Sequence, residues 1–67
     1  MLRTVFEEVV PYISNLDRIK KFVYENEGKS PEELRNLLAE MIENSEGTLR
    51  TDFRILLNEF EKTINKR

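Results

Sequence analysis

The sequence contains no cysteine, no histidine and no tryptophan. Without cysteine the chain can form neither a disulfide nor a thiolate nucleophile, and without histidine it lacks the most common general base and metal ligand. Ser14, Ser30 and Ser45 have no candidate base beside them. We therefore expect no enzyme activity, no metal site and no cofactor. A chain of 67 residues then has to rely on helix packing or self-association for its stability.

Long apolar runs and an excess of positive charge are also missing. No run approaches the roughly 20 residues that a membrane-spanning helix needs, and Glu7 and Glu8 interrupt the region where a secretory signal places its apolar stretch. We expect a cytoplasmic protein that does not associate with membranes. The net charge of −2 is unevenly distributed, because residues 25–47 contain seven glutamates and only two basic residues.

The clearest pattern that is present is an apolar stripe along the first third of the chain. Its members recur at alternating gaps of four and three, a spacing that only a helix places on one face. They are Leu2, Phe6, Val9, Ile13, Leu16, Lys20 and Val23. Val5, Val10, Ile19 and Phe22 widen the stripe on its flanks. The pattern predicts a first helix over residues 2–26, kinked but continuous at Pro11.

Two further helices follow. Ser30 is expected to cap a helix over residues 31–44, with Pro31 in its first position and Glu33 completing a capping box. A third helix is expected over residues 48–65. The short connections favour antiparallel neighbours, so the sequence predicts an all-α, single-domain, three-helix bundle over residues 1–67. Its expected core comprises Phe6, Val9, Ile13, Leu16, Leu34, Leu38, Met41, Phe53, Leu56 and Phe60.

The expected length of the first helix suggests self-association. At about 1.5 Å per residue it is roughly 37 Å long and outruns its two partners. A homodimer that pairs the seven-residue stripe would cover the excess, whereas a break at Pro11 would remove the need. Lys20 within the stripe is interpreted either as a register-setting polar residue or as a lysine whose stem lies on apolar surface.

A polar ridge is predicted on the third helix. Arg50, Arg54, Asn58, Lys62 and Lys66 recur every four residues, and like charges at that spacing repel one another. An anionic neighbour would relieve the repulsion. One candidate is the acid-rich second helix, of the same chain or of a second copy, through Glu33, Glu40 and Glu43; the other is nucleic acid.

The nucleic-acid candidate has a recognisable outline. Helices 31–44 and 48–65 could form a helix-turn-helix, with Thr48, Arg50, Thr51 and Arg54 at the start of the reading helix. The pI of about 5.1 is unusual for a DNA-binding domain.

The interpretation that the sequence favours is a non-catalytic protein–protein interaction module. It would be a small regulator or adaptor that acts through helix surfaces and homodimerises through the first helix. The alternative is a helix-turn-helix DNA-binding regulator that uses the third helix. A weaker third hypothesis is an inhibitor that imitates DNA with the glutamates of residues 32–46.

Overall fold

The computed structural model describes residues 1–65, and every regular element in that range is helical. The elements are α1 (Leu2–Val9), a 3₁₀ turn (Val10–Tyr12), α2 (Leu16–Glu25), α3 (Pro31–Glu43) and α4 (Gly47–Asn65). The all-α class predicted from the sequence is confirmed. Within residues 1–65, no helix is both long enough and apolar enough to cross a membrane.

The predicted continuous first helix is wrong, and residues 1–65 form four α-helices rather than three. Pro11 lies in the first turn of the 3₁₀ segment, where its missing N–H is tolerated. The Ile13 N–H donates to the Val10 carbonyl at 3.2 Å, and Ile13 itself is extended, with φ −92° and ψ 130°. The chain therefore leaves the helix after Tyr12 and starts a new one at Leu16.

The helices are arranged as two antiparallel hairpins. Glu27, just after α2, reaches back to the start of α1, so α1 and α2 run in opposite directions. Arg35, near the start of α3, pairs with Glu61, near the end of α4, at 3.6 Å. This contact shows that α3 and α4 are antiparallel along most of the length of α3. Both members of the first hairpin pack on α4; Phe22 and Phe53 meet edge to face at 5.1 Å.

The hydrophobic core draws on all four helices. Its fully or almost fully buried members are Leu2, Val5, Phe6, Val9, Ile13, Ile19, Phe22, Val23, Leu34, Leu38, Phe53, Leu56 and Phe60. Met41 is only partly buried. Leu16 was expected in the core but is 43% exposed, because the break at residues 13–15 changes the rotational phase of the helix. As a result α2 buries Ile19 and Phe22, which the sequence placed on the flanks of the stripe.

Local signals set the ends of α3 and the start of α4. The predicted capping box is present: the Ser30 hydroxyl accepts from the Glu33 N–H, and the Glu33 carboxylate accepts from the Ser30 N–H, each at 3.2 Å. Gly47 adopts φ +62°, a left-handed conformation that favours glycine. These features place α3 and α4 next to each other after a connection of three residues.

Candidate functional site

A groove runs between the two helices of the first hairpin on the side that faces away from the core. We call it the α1–α2 groove, and its volume is about 350 Å³. One wall comes from α1 and the turn that follows, and the other from α2. The lining residues are Arg3, Phe6, Glu7 and Val10 on the first wall and Leu16, Asp17, Lys20 and Tyr24 on the second.

Apolar surface is exposed on the second wall of this groove. Leu16 is 43% exposed and Tyr24 is 50% exposed. The other large apolar side chains that are exposed within residues 1–65 are Met1 and Tyr12, so all four precede α3. All four exposed large apolar side chains of the described residues therefore lie in or beside the first hairpin, whereas the large apolar side chains of the second hairpin are buried or partly buried.

Charges of both signs line the groove. The Arg3 guanidinium lies 4.9 Å from the centroid of the Tyr24 ring, and the Lys20 ammonium lies 5.7 Å from it, within the range of cation–π attraction. Glu7 and Asp17 supply negative charge. Within residues 1–65 none of the four charged groups forms an ion pair. The groove thus offers charges that a partner can neutralise.

The predicted protein interface consists mostly of core residues. Five of its members are buried inside the chain: Leu2, Phe6, Val9, Ile13 and Val23. Only Leu16 and Lys20 are exposed, and both line the α1–α2 groove. A partner that contacts the first third of the chain meets these two residues, with Tyr24 and Arg3 beside them. Sequence reasoning did not assign Tyr24 and Arg3 to the interface.

A buried carboxylate holds the end of this groove in place. Asp52 of α4 is 1% exposed. It accepts hydrogen bonds from the Ser14 N–H at 2.9 Å, the Asn15 N–H at 2.7 Å and the Asn15 side-chain amide at 2.8 Å. These donors lie immediately before Leu16, where α2 begins. Asp52 therefore fixes the break in the first hairpin and, with it, the position of Leu16 at the groove.

The role of Asp52 was missed, although the sequence contained a signal. Asp52 lies three residues after Leu49 and four before Leu56, so it sits on the apolar face of α4. A carboxylate in such a position needs hydrogen-bond donors from elsewhere in the chain. The sequence did not show which segment would provide them.

The other end of the first hairpin is closed by Glu27. Its carboxylate accepts from the Met1 ammonium group at 2.9 Å and from the Arg3 N–H at 2.9 Å. The bond from the ammonium group, the largest cause, and the bond from the Arg3 N–H lower the pKa of Glu27 below its ordinary value of 4.5, while desolvation opposes them. This contact holds Arg3 near Tyr24.

The polar ridge on α4 faces solvent. Thr48, Arg50, Thr51, Arg54, Asn58 and Lys62 are all exposed; Lys66 lies outside the described residues. In the described part of the chain Arg50, Arg54 and Lys62 form no ion pair. The predicted pairing with Glu33, Glu40 and Glu43 of the same chain is therefore absent from residues 1–65.

The α3–α4 hairpin does not have the outline of a helix-turn-helix. In that motif the two helices cross at about 90–120°, so their distant ends diverge. Here Pro31 and Asn36, in the first half of α3, line the same surface depression as Ile64, near the end of α4. The two helices are therefore side by side, as in an antiparallel bundle.

Acidic side chains are numerous but dispersed. Among residues 1–65 no group of three or more acidic side chains is close enough to hold a metal ion.

Over residues 1–65 the chain is a small all-α protein built from two helical hairpins, with a groove between its first two helices that exposes apolar side chains. The model of the MJ1579 family matches residues 3–65, and the chain belongs to this family. No curated protein and no solved structure matches the chain.

Proposed function

We propose that this protein is a non-catalytic protein–protein interaction module, a small cytoplasmic regulator or adaptor, and that its docking surface is the α1–α2 groove. The observation that carries the proposal is the exposure of two large apolar side chains on one wall of the groove, Leu16 near one end and Tyr24 near the other. Burying a large apolar side chain completely stabilises a structure by about 1.5–3 kcal/mol. Because Leu16 is 43% and Tyr24 50% exposed, part of that stabilisation remains available to a partner.

The composition of the groove matches that of a binding surface. Interfaces are enriched in tyrosine and arginine, with an apolar centre and a polar rim. Tyr24 and Arg3 provide the enriched types, Leu16 and Val10 provide apolar surface, and the charges without ion pairs provide polar contacts. These properties support a protein partner.

The proposal keeps the homodimer but changes its basis. From the sequence, a homodimer would cover a first helix too long for its partners. The break after α1 divides that helix into two short ones, and each buries most of its apolar residues in the chain itself. The case for a second copy now depends on the groove.

A Leu16→Glu substitution tests the proposed docking surface. It places a charge on the apolar part of the groove wall but removes little from the core, since Leu16 is 43% exposed. Ala39→Glu is the matched control, because Ala39 is exposed on α3. We expect the wild-type chain and Ala39→Glu to elute from a native cell extract in an assembly larger than 8.0 kDa. Leu16→Glu should elute as a monomer.

The measurement is size-exclusion chromatography of the tagged chain with light scattering. Circular dichroism of each purified variant shows whether the helices remain. A folded Leu16→Glu variant that elutes with the wild-type assembly would contradict the proposed docking surface.

A second candidate function is contact between α4 and a nucleic acid. The exposed Arg50, Arg54 and Lys62, without ion pairs within residues 1–65, favour it. The acidic pI of about 5.1 opposes it. It predicts binding to duplex DNA that weakens steeply with salt, because phosphate contacts release counterions. Arg54→Ala should weaken that binding further, and an absence of binding at low salt would exclude the candidate.

A further inference from the structure

We propose that the occupant of the α1–α2 groove is the same groove of a second copy, related by a two-fold axis that runs along the groove. This inference rests on the proposed function, because it assumes that the groove is a docking surface. It adds the identity of the partner and the register of the pairing.

The two walls of the groove are in register. Because α1 and α2 are antiparallel, residues early in α1 lie opposite residues late in α2. Arg3 lies over Tyr24 at 4.9 Å. One turn further along α1 is Glu7, and one turn back along α2 is Lys20, so these two residues form the next level. Val10 and Leu16 form the third level, at the end that Asp52 holds.

A two-fold axis along the groove preserves these levels. The rotation places the α1 wall of each copy on the α2 wall of the other, at the same height. Glu7 then meets the Lys20 of the second copy, and Val10 meets its Leu16. Each contact occurs twice, as in every isologous interface. Neither Glu7 nor Lys20 has an ion pair within residues 1–65 of its own chain, so both are available for this pairing.

The alternative two-fold axis is electrostatically unfavourable. An axis that crosses the groove at its middle level places Glu7 against Glu7 and Lys20 against Lys20. Like charges that face each other suppress an association. The axis along the groove also makes every neighbouring pair among the four helices antiparallel, which is the arrangement of common four-helix bundles. The charges therefore select one of the two symmetric pairings.

Charge reversal tests the pairing. Glu7→Lys leaves two lysines at the middle level, and Lys20→Glu leaves two glutamates, so each variant alone repels its own copies. We expect the wild-type protein to be a dimer by light scattering and each variant to raise the dimer dissociation constant at least tenfold. In an equimolar mixture the all-lysine middle level of one variant meets the all-glutamate middle level of the other. The mixture should therefore regain the mass of a dimer.

The neighbouring residues supply matched controls. Glu8→Lys and Lys21→Glu make the same changes of charge one position away, outside the groove lining, and both should remain dimeric. A monomeric wild-type protein, or a mixture that stays monomeric, would overturn the self-pairing. In that case the α1–α2 groove would still be supported as a docking surface for another protein if Leu16→Glu released the chain from its assembly in cell extract. If the Leu16→Glu variant eluted with the wild-type assembly, the proposed function would be contradicted as well.

Discussion

The two hairpins of this molecule are specified in different ways. The α3–α4 hairpin is defined by residues close to one another in the sequence: the Ser30 capping box, and Gly47 at the start of α4. The α1–α2 hairpin depends on residues that are distant in the sequence. Asp52 of α4 holds its break. Glu27 closes its open end by accepting hydrogen bonds from the Met1 ammonium group and the Arg3 N–H.

The two hairpins also differ in the side chains that they expose. The second hairpin exposes charged and polar side chains, whereas the first exposes Leu16 and Tyr24 in a groove. A break in a helix changes which residues face the core, and it leaves part of an apolar stripe at the surface. In this chain the break that interrupts the first helix therefore also produces the candidate docking surface. Substitutions at the distant contacts of the first hairpin show how far it depends on them.

The largest effect is expected from Asp52→Ala. The substitution leaves the Ser14 and Asn15 N–H groups without their acceptor, and we expect a loss of about 2–4 kcal/mol in the free energy of unfolding. A chain of this length has about 3–10 kcal/mol in total, so much of the stability would disappear. Urea denaturation measures the loss. Hydrogen exchange should show the amides of Ser14 and Asn15 losing protection before those of the α3–α4 hairpin.

Two further variants separate this hydrogen bonding from charge alone. Asp52→Asn keeps one carbonyl acceptor and should lose roughly half as much as Asp52→Ala. Asp17→Ala removes an exposed carboxylate from the first turn of α2 and should cost less than about 1 kcal/mol. Equal losses for Asp52→Ala and Asp17→Ala would mean that Asp52 does not hold the break.

Most of the fold could be predicted from the sequence, because its signals are local. Helical periodicity gave the all-α class, and the Ser30-Pro31-Glu33 pattern gave the start of α3. The break of the first helix could not be derived in the same way. Pro11 allows either a kink or a break, and the choice depends on Asp52, which lies in the last helix of the chain.

The candidate site was harder to predict for the same physical reason. Periodicity identifies the apolar face of a helix but does not show where that face rotates out of the core. Leu16 and Lys20 were assigned to an interface as part of a continuous stripe. They line the groove because the stripe is interrupted, while Phe6 and Val9 of that stripe are buried.

The next largest effect concerns the turn of the second hairpin. Gly47 has φ +62°, and alanine in that conformation costs about 1–2 kcal/mol. Gly28 does not have a positive φ, and a Cβ atom there would meet nothing within 4 Å. Gly28→Ala should therefore leave stability unchanged or raise it by up to about 1 kcal/mol. Thermal denaturation of Gly47→Ala and Gly28→Ala measures the two changes in stability. Equal changes would show that the positive φ of Gly47 does not affect the cost of the substitution.

A smaller effect is expected from Glu27→Gln, and it depends on pH. The pKa of Glu27 is lowered in the folded state, so its contribution is complete above the ordinary value of 4.5 and is lost as the pH falls through the folded pKa. The contact is partly exposed, and we expect it to contribute about 0.5–1 kcal/mol. Glu27→Gln should be less stable than the wild type at pH 7, and the difference should shrink as the pH falls below 4.5. A difference that does not change with pH would argue against the ionised contact.

The smallest effect is expected from Pro11→Ala. This variant tests most directly whether distant contacts define the first hairpin, whereas local signals define the second. If the break were a local consequence of proline, alanine would let α1 continue into α2. A continuous helix, however, would turn Leu16 and Lys20 toward the core and expose Ile19 and Phe22, at about 1.5–3 kcal/mol for each large apolar side chain. It would also separate Asp52 from the Ser14 and Asn15 N–H groups.

We therefore expect Pro11→Ala to keep the break and to change the free energy of unfolding by only about 0.5 kcal/mol. Backbone chemical shifts of Ile13, Ser14 and Asn15 provide the measurement. Non-helical shifts at these residues would mean that packing and Asp52 maintain the break without the proline. Helical shifts would mean that Pro11 alone encodes it, so that the first hairpin would be as locally determined as the second.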